Sequence, residues 1–153
     1  MPKAEISAPN PQAVSTIVCH HSLQRMEIAR ALGEKVREDS LLGSVRQFIV
    51  FGSSVRAEAR SDSDLDVAYI DNSRFAELML AVRRRICSHG ERLGLRVKYS
   101  GVKDDQAPFI SSPEAISLDL QAMGNEVGMK KRRETGDKFV RNLDREGIVL
   151  FQR

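Results

Sequence analysis

The chain has 153 residues, 41% hydrophobic and 29% charged, with a net charge of +3. That suffices for one domain with an ordinary core and argues against wholesale disorder. No apolar run reaches the roughly 20 residues a membrane span needs, and the opening Met-Pro-Lys-Ala-Glu-Ile-Ser carries no apolar signal core, so a cytoplasmic protein with no membrane contact is expected.

In chain order, residues 1–12 read as a loose lead-in and 13–153 as a single domain. A helix is expected over about Val14 to Glu38, with Ile28, Leu32 and Val36 on one stripe, Gly33 weakening its interior, and Ser40 to Ser44 breaking it. Gln47 to Phe51 is a short apolar run, rich in β-branched and aromatic residues, which suits a central strand buried on both faces. The next strand runs from Asp64 to Ile70. Its period of two puts Asp64, Asp66 and Ala68 on one face and Leu65, Val67 and Tyr69 on the other. Asp71-Asn72-Ser73 is expected to cap a helix that carries Phe75, Leu78, Met79, Val82 and Ile86 on its apolar face and ends at Gly90 or Gly94. Leu95 to Tyr99 is a third strand. A polar loop follows over residues 103–112, then a fourth strand from Ala115 to Gln121, with Ile116, Leu118 and Leu120 facing opposite to Ser117, Asp119 and Gln121. A basic helix from Asn125 to Arg145, broken at Gly136, precedes a closing strand at Ile148 to Phe151. The fold class is α/β (α+β): one mixed sheet of four to five strands flanked by helices.

Cys19 and Cys87 are isolated, with no zinc-ligand spacing around them, and His20-His21 beside Cys19 has no second pair to complete a metal site. Cys87 suits a small buried hydrophobe. From Met129 to Arg153 there are eight Lys/Arg against four Asp/Glu. A solvated helix face is the plain reading of the densest run, Lys130 to Arg133; a surface for nucleic acid or an acidic partner protein is the sharper one. No interleaved aromatics support nucleic acid.

The chemistry concentrates between Phe51 and Val67. A glycine after a strand lets backbone N–H groups approach phosphate, so Gly52 suits a triphosphate; the Ser53 hydroxyl can donate to a phosphate oxygen, and Arg56 can neutralise the same group. Asp64 and Asp66, two apart on a strand, project from one face. Carboxylates so placed repel unless a cation lies between them, and Mg²⁺ favours one or two carboxylates plus substrate phosphates. A calcium-loop reading of Asp62 to Asp66 fails, because Val67 stands where that loop needs glycine and Ser73 where it needs glutamate.

The whole segment from Phe51 to Val67 closely resembles the signature of the DNA polymerase β-like nucleotidyltransferase superfamily, and within it the minimal, antitoxin-type nucleotidyltransferases. Arg56, Glu58, Ala59, Asp62, Ser63, Asp64 and Asp66 fall in register with that pattern, whereas Ala57 stands where the minimal family usually has glycine. The resemblance implies a polymerase-β-like palm fold, ATP or another nucleoside triphosphate as substrate, two Mg²⁺ ions as cofactor, and transfer of a nucleoside monophosphate to a hydroxyl. It implies metal binding by Asp64 and Asp66 and a third carboxylate on a neighbouring strand, for which Asp119 is the candidate metal ligand and base; the rival strand at Leu95 to Tyr99 offers no acid. It also implies an acceptor brought by another protein, a helical HEPN-type toxin that the enzyme adenylylates. Transfer to a small molecule such as an aminoglycoside, or a catalytically weak module binding nucleotide or partner, are the alternatives.

Overall fold

The computed structural model describes residues 11–97 and 115–153. The described residues open with α1 (Pro11–Glu38), one turn longer at its start than the periodicity suggests, and a short 3-10 turn over Ser40–Leu42. Then come β1 (Val45–Phe51), a second 3-10 turn at Gly52–Ser54, β2 (Leu65–Asp71), α2 (Ala76–Arg92), β3 (Arg96–Val97) and β4 (Ser117–Ala122). The expected basic helix is two helices, α3 (Glu126–Glu134) and α4 (Lys138–Glu146), separated where Gly136 takes a φ of 76°. The chain closes with β5 (Ile148–Gln152). The expected loop at 103–112 and the end of the third strand lie outside the described residues.

The five strands form one mixed sheet in the order β3-β4-β2-β1-β5. β1 runs antiparallel to both its neighbours, β2 and β5, while β4 runs parallel to β2 and β3. The period-two patterning explains which residues face which layer. Phe48, Val50, Leu65, Val67, Leu118 and Leu120 point to one side, where α1 contributes Ala29, Leu32 and Val36 and α2 contributes Val82, Ile86 and Cys87. Ile49, Ala68 and Ile70 point to the other side, where they meet Met129 of α3 and Val140 and Leu143 of α4. Burial of each Val, Leu, Ile, Phe or Met side chain among these contributes about 1.5–3 kcal/mol, so the two clusters hold helices on both faces. Phe48 stacks on Phe151 at 5.8 Å between ring centres and ties the edge strand β5 to the centre. Burial raises the Cys87 thiol to about 11, which leaves it an inert hydrophobe.

Three local expectations change. Asp71, Asn72 and Ser73 do not cap α2. The strand runs on to Asp71, and Asp71 Oδ1 accepts instead from the Ser73 backbone N–H at 3.1 Å and its hydroxyl at 2.9 Å, so the N-cap position falls to Phe75, which offers no side-chain acceptor. The apolar face of α2 is buried only in its later turns: Val82 and Ile86 are in the core, whereas Phe75, Leu78 and Met79 are exposed. Gly33 is less a weak point of α1 than a point of close approach, because a Cβ there would lie 3.2 Å from Leu150 Cβ of β5.

Candidate functional site

β1 delivers the chain to Gly52, whose φ of 80° belongs to the left-handed region that favours glycine. A Cβ at this position would also collide with a carboxylate oxygen of Asp66, so the turn and the acid can coexist only with glycine here. The Gly52–Ser54 turn closes through Val55 and Arg56 N–H groups donating to the Gly52 carbonyl at 3.2 and 3.4 Å. Ser54 Oγ, one residue past the serine singled out by the sequence, is buried and has no hydrogen-bond partner among the described residues. Ala57 takes a φ of 56°. The left-handed turn that a glycine would form is therefore kept, at a cost of about 1–2 kcal/mol for an L-residue.

The segment between the glycine turn and the acids is pinned from behind by α1. Ser22 Oγ accepts from the Ala59 N–H at 3.1 Å. Arg25, only 1% exposed, donates to the Ser61 carbonyl at 3.2 Å, to the Ser63 carbonyl at 3.0 and 3.1 Å, and to the His21 carbonyl of its own helix at 3.2 Å. Burial lowers its pKa and the charges of Asp62 and Asp64 oppose that shift. Asp64 is thus launched from a segment held by a buried cation. Neither Ser22 nor Arg25 stands out in the sequence as a site residue. The available signal was positional: the stripe of Val36, Leu32 and Ala29, followed back toward the N-terminus, lands on Arg25 and Ser22, two polar residues on an apolar face.

Register brings the acids together. Asp66 lies opposite Asp119 across the parallel β2–β4 pair and opposite Phe51 across the antiparallel β1–β2 pair. β3 lies beyond β4 and does not touch β2, so the acid-free strand is not the neighbour of Asp66. Burial, then the charges of Asp119 and Asp64, then a hydrogen bond with Asp119 push the Asp66 carboxyl up to about 6. Asp119 Oδ1 also accepts from Gln121 Nε2 at 2.9 Å. Asp64, Asp66 and Asp119 are all partly exposed, whereas Asp62 is exposed on the preceding turn. Among the described residues no three His, Cys, Asp or Glu side chains converge tightly enough to hold a metal ion as they stand. The donor set nonetheless suits Mg²⁺, which takes one or two carboxylates and completes its shell with phosphate and water. A cation between these acids would relieve the repulsion that keeps Asp66 raised.

Arg56 points away from a purely phosphate role as it stands: it pairs with Glu58 at 3.0 Å and with Glu146 at the end of α4 at 3.2 Å. Exposed pairs of this kind contribute about 0–1 kcal/mol, so an incoming phosphate can replace either carboxylate. Gly52, Arg56 and Glu146 border a recess of about 210 Å³ that also takes in Phe51, Phe139 and Asn142. Phe139 meets Phe51 edge to face at 5.5 Å. This aromatic wall from α4 was not legible as part of the site. The basic run at 130–133 is partly consumed internally, since Arg133 grips Asp144 with two bonds of 2.8 and 2.9 Å and Arg132 reaches Asp137 at 3.1 Å. No family model and no curated protein matches the chain.

Proposed function

We propose that this chain is a Mg²⁺-dependent nucleotidyltransferase that moves a nucleoside monophosphate, AMP from ATP, onto a hydroxyl of a partner protein. The observation that carries the reading is the register of Asp66 with Asp119, which sets two acids from different strands side by side next to Asp64 and beneath the Gly52 turn. The resemblance of the Phe51–Val67 segment to the polymerase β-like signature supplies the reaction class. In this reading Gly52 and Ser53 seat the β- and γ-phosphates, and Arg56 exchanges a carboxylate for one of them. Asp64, Asp66 and Asp119 would hold Mg²⁺, and Asp119 accepts the proton of the attacking hydroxyl. The acceptor oxygen bonds to the α-phosphorus as the bond to the pyrophosphate oxygen breaks. Bound Mg²⁺ would stabilise charge on the entering and leaving oxygens; the rest is positioning. The partial exposure of all three acids leaves room for a macromolecular acceptor.

The test is transfer of label from α-labelled ATP, with Mg²⁺, to a helical HEPN-type protein supplied as candidate acceptor, comparing the native protein with an Asp64→Asn/Asp66→Asn variant. The variant should transfer at least ~10³-fold more slowly. Equal labelling by the two proteins would exclude catalysis by this cluster.

A further inference from the structure

The sheet end remote from the acids carries a feature the proposed reaction does not use. Gly52 and Asp66 lie where β1 ends and β2 begins. Ser44 and Asn72 lie at the opposite end of the same strands, about 20 Å away at the usual rise per residue. There the first turns of α2 and the 3-10 turn after α1 enclose a groove of about 810 Å³. Its apolar walls are Leu41, Phe75 and Leu78, which are 67%, 62% and 52% exposed. Three large apolar side chains left to water around one concavity give it a surface that a partner can cover.

The charged residues that line the groove are all cationic. Arg74, Arg84 and Arg85 line it, and no carboxylate does. Arg85 is held by Asp39, and Asp39 also takes His89 at 2.7 Å. Arg74 and Arg84 have no ion pair among the described residues, so two guanidiniums beside the apolar walls are uncommitted.

We propose that this groove docks an amphipathic helix of a partner protein, with its apolar ridge against Phe75, Leu78 and Leu41 and with Asp or Glu flanking that ridge to meet Arg74 and Arg84. A concave apolar slot is the shape that takes side chains spaced i, i+4 and i+7 on one helix. A second copy presenting the same groove face to face would bring the same three arginines to the contact, and like charges would meet. A flat anionic surface would reach the arginines and leave the slot unfilled. Because the groove lies at the far end of the sheet, an occupant leaves Gly52, Asp66 and Asp119 open. The inference stands without the reaction proposed above.

The test uses the full chain and a labelled helical peptide of about 15 residues with leucines at i, i+4 and i+7 and glutamates on both flanks. Fluorescence anisotropy should show saturable binding to the native protein. Phe75→Asp should weaken it at least ~10-fold, and this variant keeps its fold because aspartate is a better N-cap than phenylalanine. Arg74→Glu/Arg84→Glu should weaken it to a similar degree and should transfer the preference to a lysine-flanked peptide of the same ridge. The proposal is overturned if the lysine-flanked peptide binds the native protein as well, if no saturable binding occurs, or if single-stranded RNA or anionic vesicles bind in a Phe75-dependent way while the peptide does not. Self-association of the native chain that Phe75→Asp abolishes would assign the groove to a second copy instead.

Discussion

Two aspartates at opposite ends of the molecule show how one residue type takes opposite roles. Asp39, with a side chain 6% exposed, sits among donors: Arg85, His89 at 2.7 Å and the Leu41 N–H at 3.0 Å. The Arg85 bond outweighs the cost of burial and, with His89 and Leu41, holds the Asp39 carboxyl well below the usual carboxylate range. Asp66 sits among acids. Burial, Asp119 and Asp64 raise it to about 6, and Arg56 only weakly opposes them. The first arrangement stabilises the fold with the groups already present. The second is stable only with a proton or a cation added, and that difference separates a structural acid from a site acid.

The largest effect expected of a single change near this contrast is at Arg25, the cation that anchors the segment leading into Asp64. Arg25→Met leaves the carbonyls of Ser61 and Ser63 without their donor and should cost about 3 kcal/mol in urea denaturation. A loss under 1 kcal/mol would mean that the 57–64 segment is held by other contacts. Next comes Asp39→Asn, which should cost about 1–2 kcal/mol at neutral pH. Because the folded pKa of Asp39 is depressed, its contribution is present above about pH 4 and is lost as pH falls below that. The variant should therefore show a shallower acid limb in a pH–stability profile than the native chain.

Asp66→Asn should do the reverse. A folded pKa near 6, above the unfolded value, makes the ionised carboxylate a cost that grows from about pH 4 to 6 and stays present above 6. Discounted for partial exposure, the metal-free variant should gain about 1 kcal/mol at pH 7.5 and nothing at pH 4; a destabilised variant at pH 7.5 would contradict the contrast with Asp39. The smallest effect is at Ala57, where relief of the left-handed strain by Ala57→Gly should stabilise the protein by about 0.5 kcal/mol after the greater chain entropy of glycine is subtracted. A thermal midpoint that falls would show that the turn is not strained.

The glycine turn and the first two acids could be read from the chain because they are local: Gly52, Asp64 and Asp66 lie within one strand–turn–strand unit, and the chemistry of phosphate and cation constrains their spacing. Asp119 was legible as an apolar-flanked acid on the polar side of a strand, yet its meeting with Asp66 depends on β4 being paired with β2 and on register, which no local pattern encodes. Arg25 and Ser22 were harder still, since their role is to fill hydrogen bonds of a distant irregular segment from inside a helix stripe. The error at the start of α2 has a related cause. An Asp-Asn-Ser run serves equally as helix cap and as self-contained turn, and only the continuation of β2 to Asp71 decides between them. Phe75 and Leu78 look like core by helical spacing, but spacing reports a shared face and not what covers it.

The central claim is that Asp64, Asp66 and Asp119 hold a nucleotide through a divalent cation. Calorimetric titration of an ATP analogue that resists cleavage between the α- and β-phosphates tests it most directly, with and without Mg²⁺, on the native chain and on Asp119→Asn. Binding that needs Mg²⁺ in the native protein and weakens at least ~10-fold in the variant, a loss of about 1.4 kcal/mol, is the predicted result. Binding indifferent to Mg²⁺, or equal in the two proteins, would contradict it.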